Sequence, residues 1–123
     1  LHPVFIGPVG SDNPSVTGVG EAAEGLVYAE YVQSTNEFRD AFKKRYDEEP
    51  GVPADSGYDA VMVLASVMRE HGTTTEQISK GLLSVKDFAG ATGNITINAD
   101  RDRIGRGIVL KVIRDGKGVQ LTS

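Results

Sequence analysis

The stretch SGYDAVMVLASVMREH, from Ser56 to His71, is the segment around which the rest of the chain is organised. Apolar residues recur along it at helical spacing, namely Tyr58, Val61, Leu64, Ala65 and Met68. This periodicity predicts a helix that buries that face. Ser56 is expected to cap its start, and Gly72 stands where a helix-terminating residue belongs. The helix carries no chemistry of its own, so the function is expected elsewhere.

Composition limits the classes of function. The chain has 123 residues, a formal net charge of -4 and no basic cluster, which argues against a nucleic-acid surface and a polybasic membrane anchor. Cysteine is absent, which excludes disulfides and thiolate metal sites. The chain starts at Leu1 and carries no signal peptide, so we expect a processed or truncated piece of a longer protein.

The first part of the chain predicts a strand, a weak helix and a second strand. Val4–Ile6 is a short apolar run that favours a buried strand. Residues 15–23 predict a weak helix interrupted by Gly18 and Gly20, and Leu26–Val32 is rich in β-formers. This order indicates a parallel βαβ unit with a right-handed crossover.

Helices and a terminal hairpin are predicted downstream. A capping box at Ser34–Glu37 opens a helix expected to end near Glu49, and another at Thr74–Gln77 opens a third helix. Residues 94–98 and 108–113 read as strands, and Asp115–Gly116 is a hairpin signal whose return strand would be 119–121. The predicted fold class is therefore α/β.

Three stretches then resemble a known family. They are FIGPVGSDNPSVTGVGEAAEGLVY at 5–28, FRDAFKKRYDEEPGVPADSGYDAVMVLASVM at 38–68 and GATGNITINADRDRIGRGIVLKVIRDGKGV at 90–119. Their order and spacing resemble the carboxy-terminal third of a type I periplasmic solute-binding protein of the leucine/isoleucine/valine-binding family, the receptors of branched-chain amino acid ABC transporters.

The resemblance implies two α/β lobes that close over a ligand. Residues 1–32 would belong to the carboxy-terminal lobe, 33–92 would be helices of the amino-terminal lobe, and 93–123 would cross back and supply the closing strands. Hinges are expected near Gln33 and Gly93. The implied function is extracytoplasmic capture of a small polar organic ligand, delivered to a membrane permease, with no cofactor and no nucleic-acid partner. Because such a piece buries little surface, a self-assembled or swapped oligomer is also predicted.

The expected ligand contacts fall in two places. The first is the loop after the first strand, with Val9, Gly10, Ser11, Asp12 and Asn13, whose backbone N–H groups and helix start would hold a carboxylate. The resemblance places Val9 where amino-acid binders of the family often have an acid for the ligand ammonium, so Asp12 would have to substitute for it.

The second place is the start of the central helix, where the resemblance puts Asp55 and Tyr58 near the cleft. A structural role in the core is the plainer interpretation of Tyr58. His2 and His71 are isolated, and no catalytic or nucleotide-binding motif is found. Two other interpretations stay open: a non-transport ligand sensor with the same fold, and a self-contained small α/β enzyme or interaction domain.

Overall fold

The computed structural model describes residues 4–51 and 53–121. Within them the chain divides into two compact units. Unit 1 combines the residues up to Val32 with those from Gly107 onward, and unit 2 spans Gln33–Arg106. The elements, in chain order, are β1 (Ile6–Gly7), α1 (Pro14–Thr17), a 3₁₀ turn (Gly20–Ala23), β2 (Val27–Tyr31), α2 (Asn36–Tyr46), α3 (Ala54–His71), α4 (Thr75–Leu82), β3 (Phe88–Gly90), β4 (Gly93–Ile97), β5 (Arg103–Ile104), β6 (Ile108–Arg114) and β7 (Lys117–Gln120).

Unit 1 is built on a four-stranded sheet in the order β1-β2-β6-β7. β1 and β2 are parallel, which confirms the predicted parallel pair, while β6 runs antiparallel to both β2 and β7. Asp115 and Gly116 both have positive φ, of 50° and 69°, as a tight hairpin turn requires. The predicted terminal hairpin is therefore confirmed.

One face of this sheet is covered, and the other is largely exposed apart from Val112. On the covered face, Tyr28 and Ile113 are fully buried and pack with Ala23 of the 3₁₀ turn. On the opposite face Ile6 is 82% exposed and Leu110 is 54% exposed. The prediction that Val4–Ile6 is a buried strand is wrong, because β1 has only two residues and Ile6 lies in register with Val27 on the exposed face.

The weak helix predicted at residues 15–23 forms as two short pieces. The Asn13 side chain caps α1 by accepting a hydrogen bond from the Ser15 N–H group. Gly18 ends α1, and Gly20, with a φ of 63°, opens the 3₁₀ turn. The two glycines thus divide the segment instead of only weakening it.

Capping residues determine where two helices of unit 2 begin or end. Thr35, not the predicted Ser34, caps α2, since it accepts the Phe38 N–H group at 3.4 Å. The helix ends at Tyr46, before the predicted Glu49, because Asp47 adopts a left-handed conformation. The capping box of α4 forms as predicted, with Thr74 and Gln77 exchanging hydrogen bonds.

Helix α3 buries a different face from the predicted one. Its buried residues are Asp59, Val63 and Val67, at intervals of four, and the two valines pack with Val85 and Ile95. The residues predicted to be buried are largely exposed; the exposed fractions are 49% for Tyr58, 66% for Val61 and 41% for Leu64. The face is decided by the packing of α4 and the β3–β4 hairpin against α3, contacts that lie outside the helix sequence.

The ends of α3 match the prediction only in part. The helix begins at Ala54, so Ser56 lies inside its first turn and does not cap it. Gly72 ends it with a φ of 106° and donates its N–H group to the Met68 carbonyl. A positive φ is a conformation that glycine adopts at little cost, which confirms the predicted terminator.

The unit boundaries lie between Val32 and Gln33 and between Arg106 and Gly107. Gly93, expected at the second hinge, instead opens β4 inside unit 2. It stays there because β4 pairs with β3 on one side and with β5 on the other. The assignment of the units to lobes stays a prediction.

Candidate functional site

The loop at 8–13 lies at the carboxyl end of β1, next to the parallel strand β2. Gly10, with a φ of 80°, lets the loop turn back on itself. The turn is closed by Asn13, whose side-chain amide donates to the Gly10 carbonyl at 2.8 Å. The carboxyl ends of parallel strands are where open α/β sheets bind ligands, so the loop is placed as the sequence suggests.

Val9 and Ser11 have opposite environments within this loop. The Val9 side chain is 46% exposed, whereas Ser11 is buried and donates its hydroxyl to the Pro8 carbonyl at 2.6 Å. A Cβ atom added to Gly7 would collide with the Ser11 hydroxyl, so the glycine makes room for it. Ser11 therefore holds the loop together, whereas Val9 is an apolar side chain that the loop presents outward.

Asp12 is engaged inside unit 1. Its carboxylate lies 3.4 Å from the Lys111 ammonium, and both side chains are mostly buried, with exposed fractions of 32% and 20%. The buried Tyr28 hydroxyl lies close to Asp12, and both groups lie beside Gly118. Burial first, and the Asp12 carboxylate second, raise the pKa of Tyr28 well above its usual range.

Glu30 joins this loop although the sequence analysis passed over it. Its Oε2 atom accepts the Gly10 N–H group at 3.2 Å, and its Oε1 atom accepts the N–H group of Tyr31 at 2.9 Å. The sequence does contain features that could have marked Glu30 as a site residue. It is an acid near the carboxyl end of β2, and it lies two residues from Tyr28 and therefore on the same face of the sheet.

Asp55 and Tyr58 lie in unit 2, on the first turns of α3. Asp55 forms an ion pair with Arg106 at 3.2 Å, and Arg106 also donates to the Ser56 hydroxyl at 2.8 Å. Burial, and then the nearby positive charge of Arg106, lower the pKa of Arg103 from its usual value. Arg106 is thus the cationic partner of Asp55 within unit 2.

Tyr58 borders a groove within unit 2. The groove has a volume of about 870 Å³ and lies along α2, α3 and β3. Its aromatic lining includes Phe38, Phe42 and Tyr46 of α2, with the Tyr58 ring 5.2 Å from that of Phe38. Tyr58 is therefore half exposed beside an aromatic row instead of lying in the core.

The buried carboxylate of unit 2 is that of Asp59. It accepts the N–H groups of Ala91 and Thr92, at 2.6 and 2.9 Å, and the Thr92 hydroxyl. These donors lie in the turn between β3 and β4. Asp59 was not singled out from the sequence, because an acid on a helix is ordinarily expected to face solvent.

The structure therefore brings Val9, Gly10, Ser11, Asp12 and Asn13 together in unit 1, and Asp55 with Tyr58 in unit 2. Across residues 4–51 and 53–121, no group of three or more His, Cys, Asp or Glu side chains is arranged to hold a metal ion. In the same ranges no helix combines the length and apolar character needed to span a bilayer.

The chain is thus an α/β protein whose candidate site is a loop at the carboxyl end of a parallel strand pair. Its residues 2–117 match the periplasmic binding protein family, and the chain belongs to that family. This confirms the resemblance to the type I solute-binding proteins. Sequence comparison with curated proteins gives no significant match.

Solved structures agree with this assignment. A leucine binding protein of Thermotoga maritima is 28% identical and superposes with a TM-score of 0.77, over 95% of this chain and 36% of its own. An ABC transporter substrate-binding protein of Desulfitobacterium hafniense, crystallised with Leu, is 28% identical, with a TM-score of 0.73 over 94% of this chain and 35% of its own. A solute binding protein of Rhodopseudomonas palustris, in complex with benzoate, shares the fold at 21% identity and a TM-score of 0.61, over 91% of this chain and 32% of its own.

The chain accordingly spans about a third of the length of these relatives. Its elements correspond to a fragment of the two-lobe fold, as predicted from the sequence.

Proposed function

We propose that the protein is the extracytoplasmic solute-binding component of an ABC transporter and captures a small polar organic ligand by closure of two lobes. Unit 1 would belong to the carboxy-terminal lobe and unit 2 to the amino-terminal lobe. The observation that carries the proposal is the loop 8–13 at the carboxyl end of β1, in a chain that belongs to a family of binding proteins. The 28% identity to a protein crystallised with Leu supports an amino acid as the first ligand to try.

The loop can contribute both apolar and polar contacts. Val9 presents an exposed apolar side chain, and Asn13 lies at the start of α1. Ser11 is already hydrogen-bonded to the Pro8 carbonyl, and Asp12 already forms an ion pair with Lys111. We therefore expect ligand contacts from Val9 and from loop backbone groups, a combination suited to a small solute with an apolar side chain, such as leucine.

The mechanism would be a population shift. A ligand that touches both lobes favours the closed state by its differential affinity for that state. The membrane permease would then recognise the closed form. No chemical step is required, and the relatives described above are named as binding proteins, not as enzymes.

A thermal-unfolding titration tests the proposal. L-leucine, benzoate and acetamide are added in turn to the protein, and the unfolding temperature is followed. Ligand at about 100 times its Kd stabilises the folded state by about 2.7 kcal/mol, so at least one of these classes should raise the unfolding temperature in a saturable way. The absence of any saturable rise with these three solutes would contradict solute capture of this kind.

Asp12→Ala separates direct contact from a supporting role. Because Asp12 pairs with Lys111 within unit 1, we expect the variant to lower the affinity for leucine only modestly. An unchanged affinity would remove Asp12 from the ligand-binding residues.

The 123-residue chain on its own is also proposed to self-associate. Ile6, Ile108 and Leu110 on the sheet of unit 1 and Val61 on α3 are more than half exposed, and exposed apolar surface favours association. Light scattering after size exclusion should give a mass above the 13.1 kDa of one chain. A monomer that unfolds cooperatively would favour the self-contained domain instead.

A further inference from the structure

Helix α2 has an aromatic face, yet none of its residues is buried. Every residue of Asn36–Tyr46 is exposed or half-buried, although helices in proteins are stabilised mainly by packing of an apolar face. The aromatic row of α2 consists of Phe38, Phe42 and Tyr46 at steps of four, with successive ring centroids 5.9 and 4.6 Å apart. This row therefore lies largely on the surface of unit 2.

The apolar surface continues from α2 onto α3. The Tyr58 ring lies 5.2 Å from that of Phe38. Val61 and Met62, which share the side of α3 that carries Tyr58, are 66% and 41% exposed. The helical periodicity of the sequence predicts burial for Tyr58 and Val61, and a single copy of the chain does not provide it. Large contiguous apolar patches on a soluble protein ordinarily mark an association site.

A second row of α2 runs beside the aromatic row and carries opposite charges at its two ends. It consists of Glu37, Ala41 and Arg45, which also line the groove of unit 2, and steps of four keep them on one side of the helix. Within residues 4–51 and 53–121, neither Glu37 nor Arg45 forms an ion pair. The Arg45 guanidinium lies over the Tyr46 ring, 5.7 Å from its centroid.

This charge pattern is complementary to itself. Glu37 and Arg45 each lie four residues from Ala41, in opposite directions along the helix and on the same side of it. When two copies of α2 pack antiparallel across a two-fold axis at Ala41, Glu37 of each copy lies opposite Arg45 of the other. The small side chain at the axis allows the two helices to approach closely, and the two aromatic rows then lie against each other.

We propose that unit 2 binds a second copy of the chain through α2, in an antiparallel, two-fold symmetric contact centred on Ala41. This inference rests on the self-association proposed above and deepens it by naming the surface, and it does not depend on solute binding. Two other arrangements compete with it. The chain could associate through the exposed sheet of unit 1, or the groove could hold a small solute.

Charge reversal followed by mixing tests the pairing. Glu37→Arg and Arg45→Glu each place like charges opposite one another at both ends of the contact. Because two symmetry-related pairs change together, we expect each variant alone to dimerise about tenfold more weakly in sedimentation measurements. An equimolar mixture of the two variants restores opposite charges at both ends, so it should form a heterodimer with an affinity near that of the wild type.

The matched controls are charge reversals on α4. Glu76 and Lys80 are an exposed ion pair on that helix, four residues apart and at 2.7 Å. Glu76→Arg and Lys80→Glu should each leave the dimer affinity unchanged. The unfolding temperatures of all variants are recorded first, so that a loss of folding is not taken for a loss of association.

A single cysteine locates the symmetry axis. The chain has no cysteine, so Ala41→Cys introduces one thiol per copy, and two thiols that meet at a two-fold axis should form a disulfide-linked dimer under mild oxidation. Asp40→Cys is the matched control, since residue 40 lies on the opposite side of α2 from the aromatic row. It should give mainly monomer on a non-reducing denaturing gel.

Four results would overturn the inference. The first is a dimer that neither charge reversal weakens, and the second is a loss in both variants without recovery in their mixture. The third is loss of association in Ile108→Ser alone, which would place the contact on the sheet of unit 1 and leave self-association standing. The fourth is a wild-type chain that is monomeric at every concentration, which would end the proposed self-association as well. Saturable shifts of the Phe42 and Tyr46 NMR signals by leucine or benzoate in such a monomer would assign the groove to a small solute.

Discussion

The two units hold their carboxylates in different surroundings. In unit 2, Asp59 is buried among three donors of the Ala91–Thr92 turn, and Asp55 is paired with Arg106. In unit 1, Asp12 is paired with Lys111, and Glu30 accepts the N–H groups of Gly10 and Tyr31 next to the candidate loop. A buried carboxylate with several donors holds distant segments together, whereas one at the edge of a sheet lies near a position where α/β folds bind ligands. We therefore expect the carboxylates of unit 2 to contribute mainly to stability, and we propose ligand binding for the loop of unit 1.

Asp59→Ala should give the largest loss of stability. It leaves the Ala91 and Thr92 N–H groups buried without an acceptor, at a cost of about 3 kcal/mol in the free energy of unfolding. Urea unfolding measures this cost. Glu70→Ala, on the exposed side of the same helix, is the control and should change stability by less than about 0.5 kcal/mol. A small effect of Asp59→Ala would show that the turn does not depend on this carboxylate.

Val63→Ala should come next and tests which face of α3 is buried. Removal of two buried methyl groups from the cluster with Val85 and Ile95 is expected to cost about 2 kcal/mol. Val61→Ala is the matched control, since Val61 is 66% exposed in this chain, and it should cost less than about 0.5 kcal/mol. Equal losses for the two variants would restore the face predicted from the sequence.

High pH should destabilise unit 1 through Tyr28. The pKa of Tyr28 is raised in the folded state, so as the pH rises the unfolded chain loses the tyrosine hydroxyl proton before the folded chain does. The contribution of Tyr28 to the free energy of unfolding is therefore complete below the ordinary tyrosine pKa and declines above it. Between pH 10 and 11 the free energy of unfolding should fall by about 1 kcal/mol. Tyr28→Phe should remove this part of the pH dependence, whereas Tyr46→Phe, at an exposed site, should not. Identical profiles for the wild type and Tyr28→Phe would contradict the assignment.

Gly57→Ala should have the smallest effect, and in the stabilising direction. Gly57 lies inside α3, and a Cβ atom there would meet no other atom within 4 Å. Alanine is the better helix former, so a gain of about 0.5 kcal/mol is expected in urea unfolding. Gly118→Ala is the contrast, because a Cβ atom there would collide with the Tyr28 hydroxyl. A loss of stability in Gly57→Ala would indicate packing on this side of the helix.

Local signals in the sequence predicted much of the fold. The Thr74–Gln77 capping box, the Gly72 terminator, the Asp115–Gly116 hairpin and the parallel β1–β2 pair are all present. Each of these depends on the conformational preferences of a few adjacent residues or on the order of short elements, so the sequence alone is sufficient.

Features decided by distant partners could not be predicted in the same way. The buried face of α3 depends on α4 and the β3–β4 hairpin, and it includes Asp59, whose donors lie more than thirty residues away. The candidate loop was identified, but Asp12 is paired with Lys111, 99 positions along the chain. Glu30 could have been noted as an acid near the end of a predicted strand, but its hydrogen bond to Gly10 follows from the pairing of β1 with β2, which the sequence does not give residue by residue.

The most direct test of the central claim, that the loop at 8–13 binds the solute, is an NMR titration of the isotopically labelled protein with L-leucine. The account predicts saturable shifts of the Gly10, Ser11 and Glu30 amide signals, with the exposed Glu76 and Lys80 of α4 unchanged. Saturable leucine binding that leaves the Gly10 and Glu30 signals in place would contradict it.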